Sequence, residues 1–545
     1  MTARQPRRSA AGNRLLRPAI AAAAALLLCG AVMAAPALAQ KRGGILHFAN
    51  LDSPASVSIL EEATRAALQP AMGVMSNLVL FDQHKPQNRL DDIVPELATK
   101  WEWSEDGKDL TFTLHQGVKW HDGKPFTSAD VKCTFDLLMG KGKDHLRVNP
   151  RKGWYRNVQD VTTRGDNEVT LHLKEPQPAI LALLASGWSP IYPCHVPAAQ
   201  MRQHPIGTGP FKFVEFKPHE YIKVERNPDY WKPGRPYLDG VEHVILREVG
   251  PRNLAFFAGK IDGILGVSPP TLKDFQAQAP KSVCKTTAIN VPRTMLINMH
   301  KAPFDNPELR KAMILALDRN AFVEIINKGV GGFGATVMLP PPEGVWGMPR
   351  DILTSLPNFS TDPKKSLAEA QEIMKKLGYG PDKPLVTKIS TRNIPSWRDP
   401  AVLLASQLKK IWIDADLDIV DTAQWYPKVM RREYTIGAVP MESGVDDPDQ
   451  MFYENFYSGA ARNYAGYSDP EFDKLVDQQS MAAGDPQKRK EIIWKAERKL
   501  AEAAFRPVLF FPVSATCLQP YVKGYQVMVN SIYNNWRFDD VWLDK

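Results

Sequence analysis

Hydrophobic and polar positions between Val94 and Gly140 change period, and the change predicts a strand meander that leads into a helix. Trp101 and Trp103 alternate with polar residues, and apolar residues occupy every second position from 110 to 114. A period of two is typical of half-buried strands, since neighbouring side chains point to opposite faces of a sheet. The apolar residues of 118–120, set between turns that contain glycine, predict a third short strand.

A helix is predicted to begin directly after this meander. Thr127 suits the N-cap position, and Asp130 follows three residues later, a variant of the capping box in which each side chain satisfies a free backbone amide. Val131, Phe135 and Leu138 then lie on one helical face. The whole segment is therefore predicted to form strands followed by an amphipathic helix.

Strand-like and helix-like patterns also share the rest of the chain, which indicates a mixed α/β fold. Strands are predicted near 43–48, 78–81 and 169–173. Helices are predicted behind acidic or amide caps, most of which precede a proline that suits the first helical position. These caps are Asn306, Asp318, Asp362, Asp469 and Asp485.

Several short motifs stand in a fixed order along the first half of the chain. They are PELA at 95–98, GVKWHDG at 117–123, PFTSADV at 125–131, GTGPFKF at 207–213 and ERNPDYW at 225–231. In this order they resemble the family 5 solute-binding proteins of bacterial ABC importers, which include oligopeptide, dipeptide and nickel binding proteins. The resemblance covers the chain from about Gly43 to the C-terminus.

This resemblance implies a two-lobed α/β periplasmic binding protein, similar to the type II class with an extra inserted domain, and a cleft between the lobes. It implies a main domain of lobe 1 built from 40–79, 208–293 and 510–545. The inserted domain of lobe 1 is expected at 80–207, and lobe 2 at 294–509.

The N-terminus has the pattern of a secretory signal peptide, assigned to residues 1–39. Five arginines and no acid precede an apolar run from Ala19 to Val32, and Ala37-Leu38-Ala39 follows. Removing 1–39 leaves 63 basic and 60 acidic residues, so the charge falls from +8 to 63 − 60 = +3. The basic balance therefore belongs largely to the signal, which argues against nucleic-acid binding, and the mature protein is expected in the periplasm.

Four cysteines remain after the signal, at 133, 194, 284 and 517. No CxxC pair is present, which argues against a zinc site. In an oxidising compartment one or two disulfides and isolated buried thiols are both open, and the sequence does not fix the pairing.

The sequence lacks the motifs of common hydrolases. We find no GxSxG elbow, no HExxH helix and no metal-spaced histidine cluster. His121-Asp122 and Asp446-Asp447 are adjacent pairs that turns explain better than acid–base catalysis. The prediction is a protein with no catalytic residues, no metal and no cofactor; a secreted hydrolase and a ligand-sensing or chaperone-like protein with the same cleft remain the alternatives.

An aromatic and basic segment at 423–434 is the first candidate for a cleft wall, because binding clefts combine aromatic walls with a few fixed polar groups. Trp425 begins an amphipathic segment whose Val429 and Met430 are predicted to face inward. The resemblance implies that Trp425 lines the cleft and that Arg432 lies near the ligand. Packing of Trp425 in the core and a solvated Arg432 are the alternatives.

The loop before Pro448 is the second candidate, and the resemblance makes it the cleft loop of lobe 2. In several peptide binders an Asp four residues before this proline pairs with the peptide's amino terminus, and this chain has Gly444 there. Glu442 or Asp446 is the alternative acid. The ligand-binding prediction comprises Trp397, Trp425, Arg432, Met441, Glu442, Ser443, Gly444 and Asp446, with Trp346, Arg392 and Arg462 as further loop candidates.

The function that the resemblance implies is capture of a small solute, a peptide or another organic compound, followed by delivery to an ABC permease in the inner membrane through hinge closure. The expected form is a monomer that needs no nucleic acid. Gly444 weakens the hypothesis of a free peptide amine as ligand, so small organic acids, sugars, opine-like compounds and metal chelates stay open.

Overall fold

A computed structural model of the protein describes residues 40–329, 336–356, 359, 362–441, 443–531 and 535–545. The predicted signal peptide and Glu442 lie outside these residues. Residues 42–545 form one compact unit. In the part of the chain that the structure describes, no helix is long and apolar enough to cross a membrane.

The strands in chain order are β1 (Ile45–Asn50), β2 (Val79–Phe81), β3 (Ile93–Pro95), β4 (Ala98–Trp103), β5 (Asp109–Leu114), β6 (Val158–Arg164), β7 (Glu168–Leu173), β8 (Phe211–Lys217), β9 (Tyr221–Arg226), β10 (Gly240–Ile245), β11 (Gly263–Val267), β12 (Val283–Ala288), β13 (Arg293–Ile297), β14 (Leu385–Arg392), β15 (Ile413–Val420), β16 (Ile436–Pro440), β17 (Val508–Phe510), β18 (Val513–Leu518), β19 (Val522–Lys523) and β20 (Trp542–Leu543).

The helices in chain order are α1 (Arg65–Val74), α2 (Ser128–Met139), α3 (Ile180–Ala185), α4 (Ala198–Met201), α5 (Val249–Phe257), α6 (Leu272–Gln278), α7 (Pro307–Leu315), α8 (Arg319–Asn327), α9 (Arg350–Leu353), α10 (Pro363–Lys376), α11 (Pro395–Lys409), α12 (Thr422–Met430), α13 (Pro448–Asn455), α14 (Pro470–Met481) and α15 (Pro486–Ala503).

Three larger sheets organise the molecule. A seven-stranded sheet has the order β12-β18-β11-β1-β10-β9-β8, and a four-stranded sheet has the order β4-β5-β7-β6. A five-stranded sheet has the order β15-β14-β16-β13-β17. Parallel pairs such as β1 with β10 and β14 with β15 occur beside antiparallel ones, so the fold is mixed α/β, as predicted. We call the part built on the first two sheets lobe 1 and the part built on the third lobe 2.

The chain passes between the lobes at two short connections. Residues 289–292 join β12 of lobe 1 to β13 of lobe 2, and residues 511–512 join β17 back to β18. The predicted domain boundaries are not decided by this arrangement and stay a prediction. Two neighbouring crossings are the geometry in which a hinge is expected, because few residues need to change their backbone angles.

The five-stranded sheet buries both of its faces. Met295 and Ile297 pack into one hydrophobic core of lobe 2, while Leu296 between them packs into the other. In β16, Ile436 packs into the same core as Met295 and Ile297, and Val439 packs into the same core as Leu296. Since side chains alternate along a strand, helices on both sides must cover the sheet.

The meander and helix predicted for the segment from 94 to 140 are largely confirmed. β4, β5 and α2 form where the pattern placed them, and Thr127 and Asp130 make the full capping box. The prediction of a third strand is wrong, because the segment 118–120 contributes only an isolated bridge between Lys119 and Pro125. Its turn residues leave too few consecutive backbone groups for a ladder.

Two disulfides decide the question that the sequence left open. Cys133 of α2 is bonded to Cys194, with their Cα atoms 5.6 Å apart. Cys284 and Cys517 are bonded across the adjacent strands β12 and β18, with Cα atoms 4.1 Å apart. Both lie in lobe 1.

Candidate functional site

A groove between the lobes holds two neighbouring cavities, of about 220 Å³ and about 70 Å³. Lobe 1 contributes the residues after β1, the start of α1 and the start of α5, and lobe 2 contributes Arg293 and the start of α11. Leu51 and Ile394 line both cavities. We call these two cavities together the inter-lobe groove.

Asp52 ties the two lobes together at one end of the groove. Its Oδ2 accepts hydrogen bonds from the Arg392 guanidinium and the Thr422 hydroxyl, both in lobe 2. Its Oδ1 lies 2.8 Å from Nε of Arg247 in lobe 1. Asp52 and Arg392 are 4% and 3% exposed, so this is a buried, charge-assisted contact. It exists only while the lobes are together.

Aromatic rings support this contact from lobe 2. The guanidinium of Arg392 lies over the Trp397 ring, 4.5 Å from its centroid. Trp397 in turn packs edge to face on Trp425, with centroids 5.7 Å apart. Trp397 lines the smaller cavity. Trp425 is 2% exposed in the lobe 2 core and orients Trp397 from behind.

Arginines dominate the charged lining of the groove. Five are present, Arg65, Arg247, Arg252, Arg293 and Arg392, against the two acids Asp52 and Asp399. Burial raises the pKa of Asp399 above its ordinary range. The groove therefore presents a net positive surface.

Gly444 lies directly against the Trp188 indole of lobe 1. A Cβ at position 444 would stand 2.9 Å from Cδ1 and 3.0 Å from Nε1 of Trp188. The Arg151 guanidinium covers the ring at 4.4 Å from the centroid, and Trp188 is 3% exposed. The hydroxyl of Ser531 in lobe 1 donates to the Gly444 carbonyl. Trp188 thus fills the space that an acidic side chain at 444 would need.

Asp446 forms a second contact between the lobes. Its Oδ2 accepts from the backbone amide of Val345 at 2.8 Å and from Nδ2 of Asn530 in lobe 1 at 3.3 Å. Burial raises the pKa of the Asp446 carboxyl to about 7. Trp346 donates its indole N–H to the Asp446 carbonyl at 3.0 Å. Asp446 therefore joins lobe 2 to the C-terminal segment of lobe 1.

Asp447 has the turn role expected before Pro448. Its carboxylate caps α13 by accepting from the amide of Asp449 at 2.9 Å. The same carboxylate binds the buried Arg489 through two hydrogen bonds, at 2.8 and 2.9 Å. The pair Asp446-Asp447 is thus used for inter-lobe contact and helix capping.

The other predicted site residues are placed away from the groove. Met441 is fully buried in the lobe 2 core, and the Ser443 hydroxyl donates to the Val445 carbonyl. Arg432 is exposed after the end of α12. The prediction that Met430 faces inward is wrong, since it is 43% exposed, whereas its neighbour Val429 is buried in the lobe 2 core as predicted. Ligand contact by any of these residues stays a prediction.

Two more candidates have structural partners. Arg462 forms a buried ion pair with Glu454. His121 does not pair with Asp122: its Nδ1 accepts from the Gly207 amide at 3.2 Å, and its Nε2 is 3.1 Å from the Gly209 carbonyl. Burial lowers the pKa of His121 to about 4, so the ring is neutral and braces a turn.

Sequence reasoning missed four arginines of the groove: Arg65, Arg247, Arg252 and Arg293. They come from separate segments that only the folded chain brings together. A local sign was available for Arg65, which directly follows a threonine N-cap and so places a positive charge at a helix start, the end that a cation does not favour.

Comparisons with known proteins agree with this architecture. The model of the family described as bacterial extracellular solute-binding proteins, family 5 Middle, matches residues 92–463. A probable di/tripeptide-binding protein 5 of Pseudomonas aeruginosa is 25% identical over 93% of this chain and 97% of its own length. Heme-binding protein A of Haemophilus influenzae is 26% identical over 80% of this chain and 82% of its own length.

Among solved structures, the periplasmic binding protein DppA of Helicobacter pylori in complex with the peptide STSA superposes with a TM-score of 0.81. It is 24% identical, and the match covers 93% of this chain and 99% of that one. The two-lobed fold is therefore shared.

Proposed function

Because the chain belongs to the bacterial extracellular solute-binding proteins of family 5, we propose that it is the solute-binding component of an ABC importer. It captures a small solute, a peptide or another organic compound, outside the inner membrane and delivers it to a membrane permease by closure of its two lobes. The homologous proteins named above are binding proteins, among them di/tripeptide and heme binders.

The observation that carries this proposal is the inter-lobe groove with contacts across its edge. Asp52 of lobe 1 is held by Arg392 and Thr422 of lobe 2, so a solute in the groove and this buried contact favour the same closed arrangement. A ligand shifts such an equilibrium by its difference in affinity for the two forms. The loaded, closed surface is then what the permease recognises.

The size of the groove favours a compact solute. Its larger cavity, about 220 Å³, is smaller than the roughly 300–1,000 Å³ of typical ligand pockets. Gly444 provides no acid for a peptide's amino group, and Trp188 fills the space beside it. Of the predicted site residues, we propose Trp397 as the direct wall of the site, with Gly444 and Asp446 acting on closure.

We propose further that the mature protein is periplasmic, monomeric and without catalytic turnover. Export would remove 1–39, so the intact mass of protein from the periplasmic fraction should correspond to a chain that begins at Gln40. Light scattering during size-exclusion chromatography should give the mass of one chain. A solute incubated with the protein should be recovered unchanged; its conversion would favour the hydrolase alternative.

Mass spectrometry of the small molecule that co-purifies with the protein tests the binding proposal. The recovered compound, added back to stripped protein, should raise the melting temperature as its concentration exceeds its dissociation constant. At a hundredfold excess over Kd the expected stabilisation is about 2.7 kcal/mol. A recovered compound that produces no stabilisation over this range would contradict the proposal.

A further inference from the structure

The positive side chains that line the inter-lobe groove outnumber the negative ones. Five arginines and two aspartates line its two cavities, so the formal charge is 5 − 2 = +3. Asp52 is already engaged by two of the arginines, Arg247 and Arg392. Asp399 is the remaining acid. The surplus positive charge therefore rests on Arg65, Arg252 and Arg293, of which Arg65 begins α1 and Arg252 lies in the first turn of α5.

Arg65 is the arginine of this surplus whose charge is least compensated by neighbouring groups. It lines both cavities, is half-buried, and has neither a hydrogen-bond nor an ion-pair partner among the described residues. It is also the first residue of α1, where the helix dipole disfavours a cation. A half-buried, unpaired cation at this end of a helix is stabilised when an anion binds beside it.

Arg252 is a second, more deeply buried cation of the larger cavity. It is 4% exposed, and its NH1 donates to the carbonyls of Leu246 and Arg247, each at 3.0 Å. These bonds fix the side chain, while its Nε has no hydrogen-bond partner. Burial and the nearby charge of Arg65 lower the pKa of Arg252 to about 10. It stays charged at neutral pH with a donor unused.

Three helices begin at the groove, and their first turns contain no acidic residue. α1, α5 and α11 have 10, 9 and 15 residues, and in each the N-cap side chain makes no capping hydrogen bond and the first turn contains no acid. Elsewhere in lobe 2, Asn306, Asp318, Asp362, Asp469 and Asp485 cap their helices. Uncapped helix starts are suited to anions.

Buried polar atoms around the groove also lack partners. Thr64, the N-cap of α1, is 3% exposed with an unpartnered Oγ1, and Asn327 of lobe 2 is 3% exposed with an unpartnered Nδ2. Both residues line the cavities. Unsatisfied buried donors are costly, so a polar ligand that accepts hydrogen bonds would recover this energy.

We propose that the solute is an organic acid with net negative charge, whose carboxylate binds between Arg65 and Arg252 at the start of α1. This inference rests on the proposed function and adds the chemical class of the ligand. The carboxylate would accept from the two guanidinium groups, with the uncapped amides of α1 and the Thr64 hydroxyl as neighbouring donors. Among the described residues, Trp188 occupies the space beside Gly444 that an acid facing a cationic end of the ligand would need.

Arg65→Met is the decisive variant, since it removes the charge of a residue that holds no structural partner. Its melting temperature without ligand should equal or exceed that of the natural protein, because a disfavoured cation leaves the helix start. Arg65→Lys keeps the charge and should retain part of the binding. Arg164→Met is the control: it removes one exposed cation, with a side chain 83% exposed, from a hairpin of lobe 1.

The probes are succinate, its neutral diamide and the co-purified compound, each measured by thermal shift and calorimetry on stripped full-length protein. Succinate should raise the melting temperature saturably, and the diamide should not. Arg65→Met should weaken binding of succinate and of the recovered compound at least tenfold, whereas Arg164→Met should change it less than twofold. Equal responses of the natural protein and Arg65→Met would overturn the inference.

The charge of the recovered compound, together with its effect on stability, distinguishes failure of the organic-acid inference from failure of solute capture. A compound that is anionic at pH 7 supports the inference, and its composition distinguishes an acidic peptide from a non-peptide acid. A neutral or cationic compound that stabilises the natural protein and Arg65→Met equally overturns the organic-acid inference and leaves solute capture standing. A recovered compound that stabilises neither protein overturns solute capture itself.

Discussion

Substituting Gly444 by alanine should weaken solute binding without weakening the separate lobes. The added Cβ would stand 2.9 Å from Cδ1 of Trp188 and 3.2 Å from the Ser186 hydroxyl oxygen, well inside ordinary contact. Trp188 cannot yield easily, because the Arg151 guanidinium covers its ring at 4.4 Å. Overpacking of this kind costs about 1–3 kcal/mol.

The cost of the substitution falls on the closed arrangement alone, since Gly444 belongs to lobe 2 and Trp188 to lobe 1. At 1.4 kcal/mol for each factor of ten, the dissociation constant of the recovered compound should rise roughly 5- to 150-fold. Calorimetry measures this rise. Without ligand, the melting temperature of Gly444→Ala should stay close to that of the natural protein.

A matched control is available in the same lobe. A Cβ at Gly380 would meet nothing within 4 Å, so Gly380→Ala should leave the affinity unchanged. Trp188→Phe, with its smaller ring, should recover part of the loss when combined with Gly444→Ala, which a double-mutant cycle would reveal as coupling. Unchanged affinity in Gly444→Ala would refute the assignment of this contact to lobe closure.

Three further predictions follow from buried groups. Burial raises the folded-state pKa of Asp446 to about 7, so its contribution to stability is complete below pH 3.8 and is lost as pH rises from there through about 7. Asp446→Asn should therefore recover up to roughly 4 kcal/mol of unfolding free energy at pH 8 and almost none at pH 4, as measured by urea unfolding. Asp52→Asn should weaken solute binding roughly 100-fold in calorimetry, because Arg392 loses its buried charge partner; an affinity within twofold of the natural protein would contradict the role of this contact. Replacing Cys133 and Cys194 by serine should cost about 4 kcal/mol of unfolding free energy, given their separation of 61 residues, and an unchanged urea midpoint would argue that this bond is unimportant in solution.

Local chemistry made the elements of this fold predictable. Asp362, Asp469 and Asp485 cap their helices through side-chain hydrogen bonds to first-turn amides, as the Asp-Pro pattern predicted. The strand at 118–120 was wrongly predicted because an apolar alternation of three residues carries too little information to outweigh the turns beside it. Period and caps act over a few residues, and these are visible in sequence.

The groove itself was not predictable in the same way. Arg65, Arg252 and Arg293 are far apart in the chain, and each alone suggests only a solvated surface charge. The sequence did identify Gly444 as unusual, but the reason lies in Trp188, more than 250 positions away. The disulfide pairing was open for the same reason, since it depends on strand neighbours such as β12 and β18.

Small-angle X-ray scattering of stripped protein, before and after addition of the co-purified compound, tests lobe closure most directly. Closure around the solute brings lobe 2 toward Asp52 and Trp188, so the radius of gyration should decrease on binding and should decrease less in Gly444→Ala. An identical scattering profile for the natural protein with and without the compound, at a concentration where calorimetry proves saturation, would contradict capture by closure.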